Sequence, residues 1–88
     1  KLQRVSFVGL ETTKVTTVYD LFSACSSLTE VDFSGCNLEN VKDYRFMFNN
    51  CKSLSTVKAI GCSAKTVEIL RNALKDAGIS ENIVVTSE

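Results

Sequence analysis

The sequence predicts an α/β fold, a right-handed β-α superhelix of about three repeats, with a parallel sheet of four short strands and a C-terminal closing unit. Two observations lead there. The chain of 88 residues matches itself when shifted by 26, a period in the range of stacked repeats. Within each matching unit the apolar spacing changes midway, from alternation to steps of three and four.

The strand half of the unit comes first. Leu2, Leu28 and Leu54 share a column, as do Val5, Val31, Val57 and Ile83, and then Phe7, Phe33, Ala59 and Val85. The last two columns lie two residues apart, which suits a short strand buried on one face. Gly9, Gly35 and Gly61 follow as turn residues. In the second half, Val41, Tyr44, Phe48 and Cys51 step by three, four and three, and Val15, Val18, Phe22 and Cys25 do the same. That spacing predicts one face of a helix in every unit. It is best marked in the third, where Ser63 or Thr66 can cap TVEILRNALKDA and Gly78 can end it. Strands recurring in one register across such crossovers must be parallel. One domain over residues 1–88 is expected, with units at 2–27, 28–53 and 54–79 and a closing strand at 80–88. A start at KLQRV, without Met, is expected of a piece of a longer protein.

Residues 15–37 and 41–63 are identical at eight positions. The second strand and its turn read Leu28-x-x-Val31-x-Phe33-x-x-Cys36-x-Leu38, which fits the leucine-rich-repeat pattern L-x-x-L-x-L-x-x-(N/C)-x-L. The third unit keeps it as Leu54, Val57, Ala59, Cys62 and Ala64, whereas the first has Leu10 where the Asn or Cys belongs. The phrases VTTVYDLFSACSSLTEVDFSGC and VKDYRFMFNNCKSLSTVKAIGC resemble the BspA-like leucine-rich repeats of bacterial surface proteins. The resemblance rests on Met47-Phe48, Cys51, Ser53-Leu54 and Val31-Asp32-Phe33. Residues 63–88 depart from it, as a closing unit would. The resemblance implies a secreted or surface-anchored module for adhesion or protein binding, with a protein or glycan ligand. Localisation at the cell surface or outside the cell follows from it alone.

Composition narrows the function. Ten basic and ten acidic residues give a formal net charge of zero, which offers no electrostatic footprint for nucleic acid. The chain has no histidine, and with it go the commonest general base and the commonest metal ligand. No enzyme activity and no cofactor are expected. No run is long and apolar enough for a signal peptide or a membrane span, so no direct membrane insertion is expected either.

Cys25, Cys36, Cys51 and Cys62 are spaced by 11, 15 and 11 residues, without a C-x-x-C pair. Buried packing ranks first for them. Cross-unit disulfides, Cys25 to Cys51 or Cys36 to Cys62, come next, because neighbouring strands lie about 4.8 Å apart. A four-thiolate zinc site or a redox thiol comes last. The resemblance implies that the Asn or Cys after each strand points inward and bonds the backbone of the turn.

With the core columns assigned, binding is left to the variable ones. On the outer sheet face one column runs Arg4, Glu30, Thr56, Asn82 and its neighbour runs Ser6, Asp32, Lys58, Val84. Arg4 beside Glu30 and Asp32 beside Lys58 are expected to pair as surface charges, and the face is also the first candidate recognition surface. Tyr19 shares a column with Arg45, and Phe46 with Asp20, which predicts partly exposed rings suited to contact. Val8 and Ile60 are weaker candidates. The first strand, residues 2–8, has no unit before it, so either more repeats are expected upstream in the natural protein or its open edge is a candidate for self-association. The expected role is a non-catalytic interaction or adhesion module; the alternative is a structural cap or spacer of a longer solenoid.

Overall fold

A computed structural model of the chain describes residues 3–87; Leu2, the first member of the Leu28 and Leu54 column, lies outside them. The alternating stretch of each unit forms its strand: β1 (Arg4–Ser6), β2 (Glu30–Asp32) and β3 (Thr56–Lys58), followed late in the chain by β4 (Val84–Val85). All pair in parallel in the order β1-β2-β3-β4. With one helix, α1 (Ala64–Asp76), they make a small α/β domain. The register of the first three strands is the repeat itself, Val5 against Val31 and Val31 against Val57.

The last strand is displaced by one residue. Val57 lies opposite Val84 and Lys58 opposite Val85, so Ile83 and Val85 do not occupy the columns that the period assigns them. A 3₁₀ turn, Glu81–Ile83, adds the extra residue. A slip of one residue exchanges the faces of a strand. Val84 is accordingly buried in the core, and Val85 joins Lys58 toward the outer face.

The helices expected in the first two units do not form. Residues 18–25 and 44–51 instead follow an arc of tandem β-turns, closed by Leu21 N–H to Val18 C=O and Cys25 N–H to Phe22 C=O, then Met47 N–H to Tyr44 and Cys51 N–H to Phe48. Asp20, Ala24, Phe46 and Asn50 stand third in these turns with φ between 59 and 63°, the left-handed conformation of a type II turn, which ends any α-helix. Intervening N–H groups point to the next unit: those of Val18, Asp20, Phe22 and Ala24 donate to the carbonyls of Asp43, Arg45, Met47 and Asn49. Each four-residue turn faces its first and last residues inward, so Met47, Phe48 and Cys51 are buried much as a helix would bury them. The corresponding carbonyls of the first unit, on Thr17, Tyr19, Leu21 and Ser23, have no backbone partner among the described residues.

Among the described residues, only the third unit is α-helical. Its segment carries Ala, Leu and Lys twice each and no residue with positive φ, whereas the arcs place Asp20 and Asn50 at left-handed turn positions. The Ser63 hydroxyl accepts the Thr66 N–H at 3.2 Å. At the far end Gly78, at φ 76°, donates to Lys75 C=O while Ile79 donates to Leu74 C=O, a Schellman stop.

The core lies between sheet, arcs and α1. Phe33 stacks on Phe7 with centroids 4.9 Å apart, and Phe48 on Phe22 at 5.7 Å. Leu28, Val31, Phe48, Val57, Leu70 and Leu74 are fully enclosed. Buried Thr66 accepts the Leu38 N–H at 3.0 Å, and Thr12 that of Asn37, so hydroxyls satisfy the donors where the units meet.

Candidate functional site

The strands place Arg4, Glu30 and Thr56 in one row and Ser6, Asp32 and Lys58 in the next. The charges pair differently from the sequence expectation. Lys58 Nζ reaches diagonally to Glu30 Oε2 at 3.7 Å, leaving no Arg4–Glu30 or Asp32–Lys58 ion pair among the described residues. Asp32 turns back on its own chain, where Oδ1 accepts the Ser34 N–H at 2.9 Å. Bonds from Ser34 first, and then the Lys58 charge, hold its carboxyl below the usual range.

In the preceding unit Ser6 caps its turn in the same way, accepting the Val8 N–H. Two of the six face residues are therefore turn caps as well as surface groups. Beside them Val8, Asp32, Ser34, Lys58, Ile60 and Val85 line a shallow groove of about 490 Å³. Its floor owes Val85 to the one-residue slip of β4.

A second cluster sits in the tandem-turn arcs. Tyr19 is 48% exposed and Phe46 45%, and the structure brings them together edge to face with centroids 5.6 Å apart. The Arg45 guanidinium lies 5.4 Å from the Tyr19 ring centre. Asp43 grips it twice, Nε to Oδ1 and Nη2 to Oδ2, each at 3.0 Å. That bidentate bond lowers the Asp43 pKa and raises that of Arg45. Asp76 of α1 accepts the Phe46 N–H at 3.2 Å. Lys42, Asp43, Tyr44, Arg45 and Asp76 line an adjoining groove of about 460 Å³.

Sequence reasoning singled out the two rings and missed Asp43, Arg45 and Asp76. Arg45 was within reach of it, since Arg45 shares the Tyr19 column and precedes Phe46. Asp76 was not, because no repeat column fixes how α1 lies on the arc.

The four cysteines are free thiols. Cys36 Sγ donates to Phe7 C=O at 3.4 Å, Cys62 to Phe33 C=O at 3.2 Å and Cys51 to Phe22 C=O at 3.0 Å. The acceptor is thus in the preceding unit, 29 residues back, and not in the thiol's own turn; a parallel stack brings that carbonyl over the sulfur. Burial pushes all three thiols up, which favours their protonated form at neutral pH. Cys25 is half-buried against the core. Among the described residues no three His, Cys, Asp or Glu side chains are placed to hold a metal ion, and no helix is long and apolar enough to cross a membrane. No protein-family model, curated protein or solved structure matches the chain.

Proposed function

We propose that the chain is a non-catalytic interaction module of a bacterial cell-surface or secreted protein, built as a leucine-rich-repeat solenoid of the BspA-like type. One observation carries the reading: side chains that differ from unit to unit stand on a core that repeats. Arg4, Glu30 and Thr56 change while Val5, Val31 and Val57 beneath them do not. Such an arrangement keeps the frame constant and leaves the outer face free to suit a ligand. The ligand class is protein or glycan. A second copy could add along the edge of β1, but not across the arcs, where two like ends would meet carbonyl to carbonyl.

The test is adhesion of domain-coated beads to cultured epithelial cells, compared with a triple variant, Arg4→Ser with Glu30→Ser and Lys58→Ser. Attachment that the triple variant loses, with its thermal transition intact, supports the reading. Equal attachment by both refutes the strand face as the recognition surface, and no attachment by either refutes the interaction reading.

A cap or spacer role is the second reading, favoured by the way α1 stands where a third arc would be. Fusing residues 63–88 to a truncated solenoid should restore its solubility if they act as a cap. Continued aggregation of the fusion would discard that role.

A further inference from the structure

Phe46 occupies a position that suits other residues better. The matching residue of the first arc is Asp20, and the next turn uses Asn50, both in the same left-handed conformation. Short polar side chains adopt that region readily and a bulky one resists it. Burial of the ring would offset the strain, yet nearly half of it faces solvent. Ala24 holds the same conformation with a small side chain, so at Phe46 the added strain of a bulky, exposed ring is what a contact role would account for.

The ring is also held in place. Tyr19 supports it edge to face, Arg45 covers Tyr19, Asp43 fixes Arg45, and Asp76 anchors the backbone of Phe46 itself. Since Arg45 lies against Tyr19, Phe46 is the ring left for stacking.

The adjoining groove narrows the ligand. Its charged wall carries two cations, Lys42 and Arg45, and two carboxylates, Asp43 and Asp76, with the Tyr44 side chain beside them. A balanced wall gives no advantage to an anion or a cation, and so many charged groups disfavour an apolar side chain. A neutral molecule rich in hydroxyls, with one face of C–H groups, meets both halves. The C–H face rests on the electron-rich ring of Phe46, and the hydroxyls exchange hydrogen bonds with fixed donors and acceptors.

We propose that the Phe46–Tyr19 ridge and the groove of Lys42, Asp43, Arg45 and Asp76 form a binding site for a neutral oligosaccharide. The site rests on the interaction reading above but lies in the arcs, apart from the strand columns, so the two can fail separately. Maltopentaose, cellopentaose and penta-N-acetylchitopentaose would be titrated into the whole domain, following the aromatic NMR signals of Phe46 and Tyr19. At least one sugar should shift both rings saturably, with Kd below about 5 mM.

Phe46→Asn, which suits the backbone, should weaken binding at least tenfold, and Tyr19→Ser should weaken it less. Glu30→Ser with Lys58→Ser should leave it unchanged; loss there instead would move the site to the strand face and overturn the proposal. Undiminished binding by Phe46→Asn, ring shifts with a sulfated pentasaccharide or a Phe-containing peptide alone, or no shift with any sugar would overturn it as well.

Discussion

Phe7 and Phe33 are one residue type in one column, stacked on each other, and they differ in having a neighbour on the far side. Phe33 is 2% exposed, whereas Phe7 is half-buried; both line an apolar cavity of about 180 Å³. Truncating an enclosed Phe to Ala costs about 3–5 kcal/mol. At Phe7, some of the burial is absent to begin with and the rim can relax, so the cost should be about half, ~1.5–2.5 kcal/mol. Both variants lose the Phe7–Phe33 stack, about 0.5–1.5 kcal/mol, which cancels in the comparison, while the tilted Phe7–Phe22 contact at 6.0 Å is lost only at Phe7 and narrows the difference. Urea unfolding at several protein concentrations reads the difference as a shift in midpoint, about 1 M per kcal/mol for a domain of this size. Total stability of about 4–13 kcal/mol leaves Phe33→Ala at risk of not folding, so Phe7→Leu and Phe33→Leu provide a milder pair with the same order. Equal costs at the two sites would refute the reasoning, because they would mean that the first unit is covered in solution.

The displaced strand predicts that Val84→Asp costs at least about 2 kcal/mol, since it buries a charge beside Val57, while Val85→Asp costs well under about 1 kcal/mol; denaturation midpoints decide, and the reverse order would restore the 26-residue register. Ser63→Ala should remove about 1 kcal/mol by uncapping α1, seen as a lower thermal midpoint, with Ser63→Asp close to wild type. The thiols of Cys36, Cys51 and Cys62 hold their protons more tightly folded than unfolded. Their contribution is therefore complete below the unfolded thiol range near about pH 8.5 and is lost as pH rises through the higher folded values. Stability measured from about pH 7 to 10.5 should fall over the alkaline half, and Cys51→Ala should flatten the fall. A curve of unchanged shape in that variant would sink the assignment.

The strands, their parallel order and the core columns were legible because a buried face leaves a strict period, and Val5, Val31 and Val57 keep it. The arcs were misread for a physical reason: a helix and a pair of four-residue turns bury nearly the same positions. What separates them is a residue able to adopt positive φ every fourth place. Asp20 and Asn50 are such residues, but Ala24 and Phe46 are not and so disguise the pattern. The slip at β4 comes from three residues of 3₁₀ turn, too short to leave any periodic trace. In the aromatic cluster the rings could be found as misfits in their columns. The Lys58–Glu30 pair could not, since a diagonal reach depends on side-chain length and on Asp32 having been drawn back to Ser34.

In the arcs the cross-unit N–H groups of Val18, Asp20, Phe22 and Ala24 all point toward the later unit, and the carbonyls that receive them all point back. Aligned peptide dipoles add, as they do along a helix axis, although here the sum runs across successive passes of the chain. The stack therefore has a positive pole toward α1 and a negative pole at the first unit. Asp76, whose carboxylate meets the Phe46 N–H, stands at the positive pole as an acidic residue stands at the start of a helix. Extending the arcs by one unit would carry the negative pole outward with it, giving the new outer face a standing preference for cations.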